Sequence, residues 1–325
     1  MNTPLPPRDE LVVCFAHVAY RLGERFDLRR TGIKFIEVRA PDELAARIGE
    51  ADVLVVSGLW RNELIVAAPR LRFIQSISAG VDQYSREALS ARGIRLASAQ
   101  GANERAVAEH AMSLILALTR QLHFARDNQA KKFWRGMISD LTRREDELGG
   151  KTLLVVGLGR IGSRLAALAR AFGMRVVATK RNPAAGAQAA DTVVAQDRLL
   201  EVLPQADFVA LTCPLTPDTE RLIGERALAA MKPSAFLVNV ARGKVVDEPA
   251  LISAMTADRI AGAALDCAVD EPLPASSPLW ALPTVLITPH TAGETRRYED
   301  NVIDLLVENL DRLWRGESEL RNQIV

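Results

Sequence analysis

Cysteine is scarce in this 325-residue chain: there are three, Cys14, Cys213 and Cys267. Thiols so few and so scattered exclude a disulfide framework and a cysteine-based metal cluster, and they point to the reducing cytoplasm. No metal is expected. An excess of one charge is also lacking. Forty-one Lys and Arg face forty Asp and Glu, for a net charge of +1, so nothing electrostatic favours a nucleic-acid backbone or an anionic membrane as partner. Long apolar runs are missing too. The strongly apolar stretch AMSLILAL at 111–118 is far short of a membrane span. The first apolar run, near residue 11, is short and has no basic leader, so a secretory signal is not expected. What remains is ordinary for a soluble globular protein: 48% hydrophobic and 25% charged residues, at a length that suggests about two domains.

Short β-type runs alternate with helical patterns along most of the chain. Strands are predicted at 11–16, 33–38, 52–57, 72–77 and 94–97, with helices at 41–49, 61–68 and 85–91 between them. A second series gives strands at 152–156, 174–179, 207–212, 235–240, 263–267 and 284–288. Its runs are continuously apolar, the pattern of strands covered on both faces, and the alternation predicts parallel sheets with helices on both sides. Residues 103–122 are expected to form one long helix joining two α/β domains. Residues 121–147 read as a polar, irregular arm carrying Phe133 and Trp134. A last helix, 298–314, is expected to return to the N-terminal domain. The domains are therefore placed at 1–102 with 292–325, and at 103–291. No internal repeat or low-complexity tract is present.

The strongest local signal is GLGRIG at 157–162. It follows a predicted strand and opens a predicted amphipathic helix, the context that makes such a motif informative. Gly157 permits a tight turn, Gly159 lets a pyrophosphate approach the backbone, and Gly162 lets the helix pack on the strand. The helix N-terminus offers unpaired N–H groups to phosphate. A dinucleotide on a Rossmann-type, doubly wound sheet is the expectation. At the end of the next strand stand Lys180 and Arg181, with no carboxylate between Arg175 and Ala190. An acidic residue there bonds the ribose 2′-hydroxyl of NAD, whereas cations attract the 2′-phosphate of NADP. NADP is expected to be preferred over NAD; the other reading is two solvated loop cations.

Three further signals follow in order, each at or just past a predicted strand end, where open α/β sheets bind ligands. NVARGKVVDEPAL at 239–251 carries Arg242, ALDCAVDEPLP at 264–274 carries Asp266 and Glu271, and TPHTAG at 288–293 carries His290. Singly, each has a bland reading: a surface cation, an exposed turn acid, a core histidine. Together, behind a dinucleotide turn, the bland readings lose their weight: Arg offers a planar fork of donors suited to a carboxylate, and an imidazole beside a carboxylate has a raised pKa.

With SAGVD at 78–82, GANERAVAEHAMSLILAL at 101–118, CPLTPDTERLIG at 213–224 and MKPSAFLVNVARGKVVDEPAL at 231–251, the chain resembles the D-isomer-specific 2-hydroxyacid dehydrogenases over nearly its whole length. The resemblance implies a Rossmann-type cofactor domain and a flavodoxin-like α/β substrate domain. It implies Arg242 as the holder of the substrate carboxylate and carbonyl, His290 as proton donor, and Glu271 as its paired carboxylate. It implies Ser78, Ala79 and Gly80 as backbone donors to the substrate. Trp60, just past the third predicted strand with Arg61, reads either as a substrate-pocket wall or, equally, as a packed or partly exposed aromatic. Cofactor contacts are implied for Gly157, Gly159, Arg160, Ile161, Gly162, Lys180, Arg181, Cys213, Pro214, Thr219, Val240, Ala241, Asp266, His290, Ala292 and Gly293. The expected reaction reduces a small acid such as glyoxylate or hydroxypyruvate. The alternatives are D-3-phosphoglycerate dehydrogenase, with Arg61 a candidate for the phosphate, and a non-catalytic dinucleotide-sensing protein. A homodimer through 103–147 is expected; entry of Trp134 into a neighbouring subunit's site is the lesser reading of that residue. His17, His110 and His123 read as structural, and Trp280 as a core residue.

Overall fold

The computed structural model describes residues 5–186 and 189–325. The chain divides into two compact units, one of Met1–Asn103 with Glu294–Val325 and one of Glu104–Gly293.

The first unit holds five parallel strands, β1 (Val12–Ala16), β2 (Lys34–Val38), β3 (Val53–Val56), β4 (Phe73–Ser76) and β5 (Arg95–Ala97), in the order β2-β1-β3-β4-β5. Successive strand side chains point to opposite faces, and here both faces are buried. Val53 and Val55 enter one core, Leu54 and Val56 the other. That is why β3, VLVV at 53–56, is continuously apolar. The first core is closed by the helix Tyr298–Trp314, which buries Tyr298, Val302, Ile303, Leu306 and Leu310. That helical spacing turns a single stripe inward. Buried Asn309 donates from Nδ2 to Gln75 Oε1 at 3.0 Å, tying the helix to β4. The Tyr298 hydroxyl donates to the Ile77 carbonyl.

The second unit holds seven parallel strands, β6 (Thr152–Val156), β7 (Arg175–Lys180), β8 (Thr192–Ala195), β9 (Phe208–Leu211), β10 (Phe236–Asn239), β11 (Gly262–Leu265) and β12 (Val285–Ile287). Their order is β12-β11-β10-β9-β6-β7-β8. The chain builds outward from β6 in one direction and then from β9 in the other, so the winding reverses between β6 and β9. Ligands of doubly wound sheets bind beyond the carboxyl ends of the strands at such a reversal. Leu154 and Val156 face one core, Leu153 and Val155 the other. The second core includes the helix Glu104–Thr119, which packs on the helix Arg160–Ala171 and on β10 and β11.

Several expectations need correction. The helix predicted to run to 122 stops at Thr119; Gln121 has φ +51°, and a second helix, Leu122–Ala130, follows within the arm expected to be irregular. That second helix buries none of its residues, so it carries no apolar periodicity to read. Only a 3-10 turn, Asn62–Ile65, stands where a helix was expected at 61–68. Strand β8 was not anticipated; it is a four-residue edge strand with a single buried residue. Trp280 is exposed, its indole N–H donating to the Pro274 carbonyl at 3.0 Å. Among the described residues no helix is long and apolar enough to cross a membrane, and no cluster of potential metal ligands occurs.

Candidate active site

The dinucleotide turn follows β6 directly. Gly157 has φ +100°, and a Cβ there would lie 2.7 Å from the backbone of Cys213 just beyond β9. Only glycine tolerates both conditions. Thr212 Oγ1 donates to the Gly157 carbonyl at 2.8 Å, closing the β6–β9 junction. At Gly159 a Cβ would meet nothing within 4 Å, whereas at Gly162 it would lie 2.5 Å from the Gly157 carbonyl oxygen. The open space at Gly159 and the start of the helix at Arg160 form a concavity of backbone N–H groups suited to a pyrophosphate. The residues present therefore fit a dinucleotide. Ile161 is half-buried and Arg160 is exposed. Lys180 ends β7, with its ammonium 3.4 Å from the Gly186 carbonyl, and Arg181 beside it is exposed.

Cys213 and Pro214 follow β9 on the same sheet edge, and Cys213 is buried, which pushes its thiol up to about 11. The hydroxyl of buried Thr219 accepts from the Thr216 N–H at 2.7 Å and donates to the Pro214 carbonyl at 2.7 Å, so its polar atom shapes the 214–219 turn. Val240 and Ala241 follow β10. Asn239 braces them: its Oδ1 accepts from the Ala241 N–H, and its Nδ2 donates to the Arg242 carbonyl, both at 3.0 Å. Arg242 Nη1 donates to the Ala241 carbonyl at 2.8 Å. A Cβ on Gly243 would stand 1.9 Å from the Ala268 carbonyl oxygen. The Arg242 loop and the loop after β11 thus touch backbone to backbone.

That second loop carries Glu271. One of its carboxylate oxygens accepts from the Ala268 N–H at 3.1 Å, and the other lies 2.7 Å from His290 Nδ1. The Glu271 hydrogen bond raises the His290 pKa above the ordinary histidine value, against burial, with the Glu271 charge adding to the rise and the Arg242 charge opposing it. Burial pushes Glu271 upward, but the bond and charge of His290 carry it below the usual carboxylate value, with help from Arg242. The three groups therefore sense one another's charge, and they stand at the ends of β10, β11 and β12.

His290 itself has φ +55°, a left-handed conformation uncommon for a residue other than glycine. The turn is held by Asp266, a buried carboxylate at the end of β11. Asp266 Oδ1 accepts from Thr288 Oγ1 at 2.6 Å and from the Thr291 N–H at 3.0 Å, and Oδ2 accepts from the Ala292 N–H at 3.0 Å. Its oxygens are thus committed to the segment that carries His290 and leads to Gly293. His110, read from sequence as structural, reaches this network. Its Nε2 is 3.0 Å from Thr288 Oγ1 and 3.4 Å from Asp266 Oδ1. Asn239 and Thr288 were not singled out either; their position next to Arg242 and His290 in the sequence was the available signal.

In the first unit, Ser78 bonds Ser57 through their hydroxyls at 2.6 Å, and its N–H donates to Ser76 Oγ at 3.1 Å. Among the described residues the N–H groups of Ala79 and Gly80 meet no acceptor. Trp60 is buried, tilted against Tyr84 and bonded through its indole to Asn62, the surroundings of a packed aromatic.

A parallel, doubly wound sheet with a glycine turn at its reversal defines a dinucleotide-binding α/β protein. Residues 112–292 match the family described as D-isomer specific 2-hydroxyacid dehydrogenase, NAD binding domain. The chain is 36% identical over 291 residues to a glyoxylate reductase of Pyrococcus furiosus, covering 85% of this chain and 83% of that one. It is 35% identical over 300 residues to a D-3-phosphoglycerate dehydrogenase of Mycobacterium tuberculosis, covering 91% of this chain but 54% of the relative. It therefore spans about half the length of the latter kind of relative. The crystal structure of the TT0316 protein from Thermus thermophilus superposes with a TM-score of 0.84 at 34% identity, over 97% of this chain and all of that one (100%). The chain belongs to the D-isomer-specific 2-hydroxyacid dehydrogenase family.

Proposed function

We propose that this protein reduces a small 2-keto acid of the glyoxylate or hydroxypyruvate kind to the D-2-hydroxy acid. The observation that carries the reading is the Glu271–His290 pair at 2.7 Å within reach of the Arg242 charge, on the strand edge that also bears the dinucleotide turn. A bound reduced nicotinamide supplies the hydride. Arg242 holds the substrate carboxylate and draws electron density onto the carbonyl oxygen. His290, protonated, gives its Nε2 proton to that oxygen as the C–O double bond becomes an alcohol. Glu271 accepts the Nδ1–H, keeps the ring oriented and stabilises the imidazolium before transfer. Ser78, Ala79 and Gly80 are assigned to the substrate carboxylate through the family resemblance, and the unit that contains them is assigned to substrate binding.

NADP is the proposed cofactor, because Lys180 and Arg181 close β7 and no carboxylate lies between Arg175 and Ala190 to repel a 2′-phosphate. The proposed assembly is a homodimer through 103–147. Trp134 and Met137 in that arm are 95% and 100% exposed, more apolar surface than an isolated arm gains from holding in water. The proposed location is cytoplasmic, a reading supported by three buried cysteines without a disulfide. The second reading, D-3-phosphoglycerate dehydrogenase, is favoured by relatives of that name. The test is NADPH and NADH consumption with glyoxylate, hydroxypyruvate, pyruvate and phosphohydroxypyruvate. Turnover of the small acids with NADPH preferred supports the proposal, and turnover of the phosphorylated acid alone selects the second reading. Tight cofactor binding with no turnover of any acid assigns a non-catalytic binding protein.

A further inference from the structure

Asp266 is a buried carboxylate without an arginine or lysine partner among its described bonds. Its oxygens are held by Thr288 Oγ1, Thr291 N–H and Ala292 N–H, all within two residues of His290. One more group closes this arrangement, and it comes from far away in sequence: His110, on the helix Glu104–Thr119, 178 residues before Thr288.

The direction of each proton in the chain can be worked out. An ionised carboxylate only accepts, and a threonine hydroxyl has one proton to give. At 2.6 Å from Asp266 Oδ1, the Thr288 hydroxyl spends that proton on the carboxylate. Thr288 Oγ1 must then accept from His110 Nε2 at 3.0 Å, so His110 carries a proton on Nε2. The chain runs His110 Nε2–H to Thr288 O–H to Asp266, which also accepts from the two amides that follow His290. His290 sits at φ +55°, a conformation that persists only where its surroundings over-determine it.

We propose that His110 is a positioning residue for His290: by donating from Nε2 it fixes the Thr288 hydroxyl on Asp266, and Asp266 fixes the turn that aims the proton donor. His110 touches neither Glu271 nor His290 in any described bond, and its action on the reaction is indirect. The inference rests on the reading of His290 as the proton donor, so its test includes a readout that needs no turnover.

The test compares His110→Gln, His110→Asn and His110→Leu. A glutamine amide nitrogen can occupy the place of Nε2, whereas an asparagine amide falls short, near the place of Nδ1. The His290 titration is followed by NMR of histidine-labelled protein, its signal among the four histidines identified by its loss in His290→Gln. The groups that act on His290 in that titration are Glu271, Arg242 and Asp266. His110→Gln is expected to keep kcat within about twofold and to leave His290 titrating as in the wild type. His110→Asn and His110→Leu are expected to lower kcat about tenfold, the loss of one hydrogen bond in a charged network, with the cofactor KM unchanged and the His290 titration moved toward the ordinary histidine range. Wild-type kcat and titration in the asparagine and leucine variants overturn the proposal. Equal defects in all three overturn it as well, since packing alone then accounts for the residue. If the wild-type protein reduces no 2-keto acid, the proposed function falls, and the His290 titration alone decides the role of His110.

Discussion

Replacing Glu271 with glutamine removes one charge and little else. The amide has the size of the carboxylate, and its oxygen can still accept from the Ala268 N–H or from His290 Nδ1. What disappears is the negative charge 2.7 Å from the ring nitrogen. A charge-assisted hydrogen bond of this kind contributes about 1.5–3 kcal/mol when sheltered. Here the two side chains are 45% and 39% exposed, so water screens the pair and about 1 kcal/mol is the reasonable loss. That is a fall of about fivefold in the reductive kcat near neutral pH. The sign with pH follows from the direction of the shift. His290 has a raised pKa, so its imidazolium is fully present below that value and is lost as the pH rises through it. The reductive rate should therefore fall on the alkaline side, and the reverse oxidation, which needs the neutral ring, should rise there. In Glu271→Gln both transitions should move toward acid. The assay is NADPH consumption with glyoxylate and hydroxypyruvate from about pH 5 to about pH 9, which brackets histidine titration. An unchanged profile in the variant would refute the reasoning, because it would mean that Glu271 does not support the charge on His290.

Other outcomes follow from the same geometry. Arg242→Ala should raise the KM for the keto acid and lower kcat, together by at least about a hundredfold in kcat/KM, as expected for a lost charged contact to the reacting group; steady-state kinetics check this. Gly243→Ala should destabilise the second unit by about 1–3 kcal/mol, because its Cβ would overlap the Ala268 carbonyl oxygen at 1.9 Å; a lowered midpoint of thermal unfolding is the readout. Lys180→Glu combined with Arg181→Ala should invert the proposed cofactor preference toward NADH, read as the ratio of kcat/KM values for the two nucleotides. Trp134→Ala with Met137→Ser should weaken the proposed dimer, seen as a concentration-dependent shift to monomer in sedimentation velocity.

The parallel sheets were legible because burial on both faces writes itself into sequence as unbroken apolar runs: TLLVV at 152–156 is strand β6 residue for residue. The glycine turn was legible because Gly157 and Gly162 answer to local backbone demands. Where no such demand exists, the reading failed. Strand β8 lies on an edge and the helix Leu122–Ala130 buries nothing, so neither leaves a periodic trace. Trp280 was assigned to a core and lies exposed, since the indole ring suits a core and a surface alike. His110 was beyond reach for a different reason. Its partner Thr288 is 178 residues away, and only the packing of its helix against the carboxyl end of the sheet brings the two together.

The most direct measurement is single-turnover reduction by the His290→Gln variant, mixed with keto acid in a stopped-flow instrument after saturation with NADPH. Proton donation by a positioned side chain is worth about 10²–10⁴ in rate. The account predicts a loss of that size with nucleotide binding intact, and a variant that transfers hydride at the wild-type rate contradicts it.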